Sequence, residues 1–248
     1  MQKRLLTVAG LFVLTTCTRA GEANPTADVS TNKPPPWVSS LAFGLTLTSG
    51  NSDTLLTTAA FKSRKKTEQN EYGFVLDGAY GENNSVKNNE TLHGAAQWNH
   101  LFTERSYSYV NGEGLHDGIA DIEYRFTIGP GAGDYFIKTA NTALAGELGP
   151  SVIFQRLGDV DSIYGSLRLA ERFEHKLRTG ARVWERAEIL PQVNKFENFL
   201  VNAEVGAETA LTKTLSLQVT LQDNYVNQPA PGRKDNDVKL ISSLVYKF

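Results

Sequence analysis

From residue 37 onward, apolar side chains fall on every second position, in runs of about ten to thirteen residues broken by turn-forming residues. A strand sends successive side chains to opposite faces, so each run reads as a strand with one apolar and one polar face. In the first run, Trp37, Leu41, Phe43, Leu45 and Leu47 oppose Ser40, Ala42, Gly44, Thr46 and Thr48. In the last, Val238, Leu240, Leu244, Tyr246 and Phe248 oppose Asp237, Lys239, Ser243 and Lys247, with Ile241 and Val245 as apolar exceptions. The runs between repeat the scheme. Tyr124, Phe126, Ile128 and Ala132 face three glycines and Arg125, and Leu144, Leu148, Val152 and Phe154 face Glu147, Ser151 and Gln155. Two runs are less clear. The fifth, from Tyr107, contains Val110, Gly112 and Gly114 and suggests a bulge, and residues 181–190 have ambiguous parity.

About twelve such runs follow one another, an even number, as single-chain bacterial barrels require. The expected fold is all-β: a transmembrane, antiparallel, up-and-down β-barrel over residues 37–248. If the first strand rises from the periplasm, the inner connections are the brief ones at 67–70, 103–105, 138–141, 178–180 and 212–214. The outer ones, at 81–89, 117–123, 191–197 and 227–236, are mostly longer, and Gly50-Asn51-Ser52-Asp53 turns the first hairpin tightly. Aromatics near strand ends read as two interfacial girdles. Trp37, Tyr72, Trp98, Phe102, Tyr107, Phe136, Phe173 and Tyr246 belong to the lower girdle, and Tyr80, Tyr124, Phe154, Phe199 and Tyr225 to the upper. A soluble β-sandwich is the competing fold, but strands of this length in this number suit a bilayer better.

Ahead of the barrel, residues 1–20 read as a secretory signal peptide. Lys3 and Arg4 form a positive start, residues 5–14 a short apolar core, and Thr18-Arg19-Ala20 a cleavage site. Cys17, the single cysteine, lies inside it, so the mature chain carries no thiol. Residues 21–36, rich in Asn, Thr, Ser and Pro, read as a disordered periplasmic leader. Removing the signal leaves 22 basic against 27 acidic residues, a net charge of −5, which gives nucleic acid no basic surface to bind. Mean hydropathy of −0.31 is too polar for a helical membrane protein, but only alternate residues of a barrel meet lipid.

The polar faces supply the candidate site. Arg64, Asp77, His93, Arg125, Glu147, Arg168, Arg172, Glu174, Glu204 and Lys239, with Lys62 and Glu208, are the expected lumen-lining residues. Ionised groups that pair inside the lumen stay out of lipid, and a twelve-stranded tube falls between barrels filled by side chains and barrels that hold a channel. No catalytic residue, cofactor or metal site is expected, and the chain reads as a non-enzyme. The four histidines show no metal-binding spacing; His116-Asp117 with Asp121 forms a weak loop candidate for a divalent cation. A membrane-embedded hydrolase acting on lipid or lipopolysaccharide would need His93 beside a serine on a neighbouring strand. A passive small-solute pore, or an envelope protein resisting osmotic stress, needs neither, and a purely structural role is the remaining alternative.

Several stretches resemble one known group. They are Ser49-Gly50-Asn51-Ser52, then Asp121-Ile122-Glu123-Tyr124-Arg125 running into Gly129-Pro130-Gly131-Ala132-Gly133, then Glu147-Leu148-Gly149-Pro150. Residues 228–237, Gln-Pro-Ala-Pro-Gly-Arg-Lys-Asp-Asn-Asp, complete the set. In order and spacing they resemble the salt-induced outer membrane protein family, a domain of unknown function. That resemblance implies an outer-membrane barrel of a Gram-negative bacterium and no established activity. The ending, Tyr246 and Phe248, resembles the C-terminal assembly signal of bacterial outer-membrane proteins. The partners expected are therefore outer-membrane lipid, lipopolysaccharide and the barrel assembly machinery, with the protein itself a monomer.

Overall fold

A computed structural model describes residues 36–48 and 54–248. Twelve strands run in sequence: β1 (Val38–Thr48), β2 (Thr54–Lys66), β3 (Asn70–Asn83), β4 (Val86–Leu101), β5 (Ser106–Asp117) and β6 (Ile122–Lys138). Then follow β7 (Thr142–Leu157), β8 (Val160–Lys176), β9 (Arg182–Gln192), β10 (Lys195–Ala210), β11 (Leu215–Val226) and β12 (Asn236–Lys247). Each pairs antiparallel with its sequence neighbours, and β1 pairs with β12, closing the sheet into a barrel. Closure removes the edges that an open sheet leaves unbonded, which is the condition for a sheet to cross hydrocarbon. The signal-peptide and leader readings fall in residues 1–35, and the Gly50-Asn51-Ser52-Asp53 turn in 49–53, outside the described residues.

Alternation sorts the two faces. Phe43, Leu45, Phe74, Leu76, Leu92, Phe126, Ile128, Leu148, Leu169, Val205, Leu221, Leu240 and Leu244 point outward and are exposed. A soluble monomer rarely shows an apolar patch above a few hundred Å². Here the patch circles the barrel as a continuous belt, as acyl chains require. Ala42, Asn99, Thr127, Ser151, Ser166, Ser216, Thr220 and Val245, on the opposite parity, are buried inside. At one end of the belt Trp37 lies 6.1 Å from Tyr72, with the Lys65 ammonium 5.9 Å over the Trp37 ring. Tyr246 stacks on Phe248 at 6.0 Å. At the other end Tyr124 stacks on Phe126 and Phe199 on Tyr225. Rings with a polar tip settle at such interfaces.

The structure corrects four sequence readings. Tyr107 is not a girdle residue: it is 1% exposed and points into the lumen. The fifth strand pairs with β4 without interruption across Val110, Gly112 and Gly114; its irregularity lies between Leu115 and Asp117, against β6. The ambiguous ninth strand turns Arg182, Trp184, Arg186 and Glu188 inward with their β8 and β10 partners, leaving Glu185 outward. Finally, the outer connections are not long. Turn-forming residues at 81–83, 86–89, 191–192 and 195–197 continue β3, β4, β9 and β10, and the turns between strands shrink to 84–85, 118–121 and 193–194. Of the described outer connections only 227–235 is extended.

Candidate functional site

The inward residues form a lumen organised around Glu147 on β7. Its side chain is 0% exposed. One carboxylate oxygen accepts from Arg168 Nη1 at 2.8 Å. The other accepts from Arg172 Nη2 at 2.7 Å, Tyr107 OH at 2.8 Å and Gln97 Nε2 at 2.8 Å. Four donors from β4, β5 and β8 thus converge on one anion. Arg168 is itself shared with Glu188 of β9 at 2.8 Å and lies 5.3 Å over the Tyr109 ring. A buried carboxylate survives only when its desolvation is offset in this way, by short charge-assisted bonds on both oxygens.

Glycine makes room for this cluster. The inward positions of β6 opposite Tyr109 and Tyr107 are Gly131 and Gly133. A Cβ on Gly131 would fall 2.3 Å from Tyr109 Cζ, and one on Gly133 2.4 Å from Tyr107 Cζ. The tyrosine rings lie flat against bare backbone, which aims the Tyr107 hydroxyl at Glu147. Tyr135, 5.3 Å from Tyr107, extends the network to the next wall by donating to Glu71 Oε2 at 2.5 Å. Lys66 holds the other Glu71 oxygen at 2.7 Å.

A second cluster lines β8 to β12. Trp184 is packed over Gly206 and donates from Nε1 to Glu204 at 2.6 Å. Arg182 bridges Glu208 at 2.8 Å and Glu174 at 3.4 Å, and Lys247 closes on Glu208 from the other side. Glu174 also meets Arg64 of β2 at 3.4 Å. In a ring of twelve, β2 and β8 stand diametrically opposite. Strands about 4.8 Å apart and tilted by about 40° give a tube roughly 24 Å across between backbones. An extended arginine and glutamate with their 3.4 Å contact reach roughly 16 Å at about 1.3 Å per bond. At this level the two walls therefore draw together and the lumen is narrowed. Yet the Arg64 side chain stays 57% exposed, so water reaches the pair.

Toward the outer mouth, Lys239 of β12 reaches Asp117 of β5 at 3.6 Å. His93 places Nδ1 2.9 Å from Asp77 and Nε2 3.3 Å from Glu113. Carboxylates hold both ring nitrogens, so no serine shares this imidazole and the histidine–serine pairing of a hydrolase does not form here. Arg125 gives its Nε to Gln155 at 2.8 Å. Ile153, Leu190 and Leu200 form a small apolar cluster with Tyr164 and Val226. The loop candidate for a cation is dispersed: Asp117 accepts the backbone N–H groups of Ile119 and Ala120, while His116 bonds the Glu123 carbonyl. Among the described residues no group of three or more His, Cys, Asp or Glu side chains is arranged to hold a metal ion.

The structure thus places Glu147, Arg168 and Arg172 in one cluster, and Arg64, Glu174, Glu204 and Glu208 beside a second. Asp77 and His93 form a third contact, with Arg125 and Lys239 higher up. Sequence reasoning missed Tyr107, Tyr109, Tyr135, Glu71, Glu113, Arg182, Trp184, Arg186 and Glu188. The glycine alternation at 129, 131 and 133, directly across the hairpin from Tyr107 and Tyr109, was the available signal for the first two.

Among solved structures, the NanC porin superposes with a TM-score of 0.50 at 6% identity, over 84% of this chain and 98% of that one. An outer membrane channel from Pseudomonas putida F1 gives 0.49 at 11% identity, over 92% and 100%. The KdgM porin gives 0.48 at 8% identity, over 86% and 99%. At these identities the likeness is one of fold. No curated protein matches the chain. Residues 41–248 match the family described as "Protein of unknown function, DUF481", a description that mentions neither salt nor an activity.

Proposed function

Because the chain belongs to this family of unknown function, we propose its role from geometry: a passive pore for small solutes in the bacterial outer membrane. The observation that carries the reading is the pair formed by Arg64 and Glu174 across the full width of the lumen, hydrated and not packed. An interior meant only to be solid has no use for a water-exposed ion pair spanning opposite walls. The constriction passes small solutes and rejects bulky ones. His93, the histidine on which the hydrolase alternative depended, does not support it, since both its nitrogens face carboxylates.

The purified protein in a planar lipid bilayer is expected to give discrete, small conductance steps. Silence together with hydrolysis of lipid or lipopolysaccharide would replace this reading with an enzyme. Silence in both assays would leave a structural, osmotic-stress role, which the buried Glu147 cluster favours as a brace between strands. We take the protein to be a monomer surrounded by outer-membrane lipid and lipopolysaccharide. Its insertion by the barrel assembly machinery is attributed to Tyr246 and Phe248, whose rings stack on the outer face beside the β1–β12 junction.

A further inference from the structure

Arg172 and Arg186 are direct cross-strand partners on the inward face of β8 and β9. Like charges so placed repel unless each finds an anion. Arg172 has Glu147. Arg186 has none: among the described residues no carboxylate lies within ion-pair distance of it. Its cross-strand neighbour on the other side is Glu204, but that carboxylate accepts from Trp184 Nε1 at 2.6 Å and Gln222 Nε2 at 3.2 Å. The cations Arg172, Arg64 and Arg182 also lie around Arg186.

The opposite wall supplies a second unmatched cation. Lys62 of β2 places its ammonium 5.9 Å from the Trp184 ring, with Arg182 against the same ring at 4.9 Å. Among the described residues Lys62 also lacks a carboxylate in contact, and its charged surroundings include Arg186 as well as Glu204, Asp77 and Arg182. The other carboxylates of the cluster are ion-paired elsewhere: Glu147 by two arginines, Glu174 by Arg64 and Arg182, Glu208 by Arg182 and Lys247. Glu204, held by the neutral donors Trp184 and Gln222 and in ion-pair contact with neither cation, is the one carboxylate whose charge Lys62 and Arg186 share, so two cations divide a single anion.

We propose that Lys62 and Arg186 form an anion-binding constriction that takes the carboxylate or sulfate group of a small solute. The planar guanidinium receives two oxygens side by side and the ammonium acts as a point charge from across the lumen. Binding at this site stands without transport; its consequence, a preference for anions in passage, rests on the pore reading.

Trp184, in the midst of these cations, reports occupancy. The chain has three tryptophans, so the full-length W37F/W98F protein in detergent micelles leaves Trp184 as the sole indole emitter. Titration with sodium sulfate, and separately sodium glucuronate, at constant ionic strength against sodium chloride should change Trp184 emission saturably. K62Q/R186Q should weaken that response at least tenfold, and R186K should retain part of it. Neither substitution removes an ion-pair partner, and heat-modifiable migration on gels verifies folding. A response that does not saturate, or equal affinity in K62Q/R186Q, overturns the site. In bilayers under a salt gradient, the parent should favour anions several-fold and K62Q/R186Q should lose that preference. Saturable binding with silent bilayers refutes the pore and leaves the site. Conductance without a sulfate or glucuronate response refutes the site and leaves the pore.

Discussion

Replacing Glu147 by glutamine should be among the most costly single changes in the barrel wall. The amide keeps the side chain's shape but removes the charge that Arg168 and Arg172 face at 2.8 and 2.7 Å, and it presents an N–H₂ group where four donors already converge. Breaking a buried pair by neutralising one partner costs about 3–5 kcal/mol, because the other charge is left uncompensated. Two features reduce that here: Arg168 keeps Glu188 at 2.8 Å, and the Arg172 side chain is 36% exposed to lumen water. The expected loss is about 3 kcal/mol. With a urea slope of about 3 kcal/mol per molar, the unfolding midpoint in micelles falls by about 1 M, read from heat-modifiable gel migration. E147Q/R172Q should recover at least about 1 kcal/mol of the loss, since it removes the stranded cation. An E147Q midpoint indistinguishable from the parent, or strictly additive losses in the double variant, would show that the four contacts carry no net stabilisation.

Three other outcomes follow from the same geometry. R64A/E174A removes the pair that crosses the lumen, so single-channel conductance should rise several-fold while stability changes by less than about 1 kcal/mol, as for other hydrated pairs; unchanged conductance would place the constriction elsewhere. Gly206→Ala puts a Cβ 2.1 Å from Trp184 Cζ2, which forces the indole off the wall and should destabilise by about 1–3 kcal/mol with a shifted Trp emission. Gly73→Ala, with no atom within 4 Å of its new Cβ, is the control expected to be silent. Phe248→Ala keeps the two backbone bonds to Ser39 but removes the ring, and should lower the outer-membrane level of the protein with export intact; normal levels would refute the assembly role given to that ring.

The barrel was legible because lipid enforces period two on one face all the way round. Even the two apolar exceptions in the last strand have a place: Val245 is buried inside at 3% exposure, where Ile241 shares its parity. The lumen was harder to read, because an inward position tolerates any residue that finds a partner. Trp184 shows the difficulty: as a large aromatic on a strand it mimics a girdle residue, and only the bare backbone of Gly206 on the neighbouring strand lets it fold inward. Tyr107 misled in the same way, since Gly133 lies more than twenty residues further along the chain. The outer turns were misjudged because Gly, Asn and Glu at 81–83 and 86–90 are poor strand formers by propensity. Pairing in register with a neighbour outweighs that preference.

The length of these strands has a consequence on the cell's exterior. Beyond the upper-girdle residues Tyr80 and Phe199, β3 and β10 run on for about three to four residues, a rise of roughly 8–10 Å at a tilt of about 40°. The surplus carries stiff hairpins, capped by two to four residues, into the saccharide layer. Antibodies and phages meeting this protein would therefore find ridged, hydrogen-bonded relief with little that yields. A grafted epitope or affinity tag belongs in the segment 227–235, the described outward connection long enough to accept one without prying a hairpin apart.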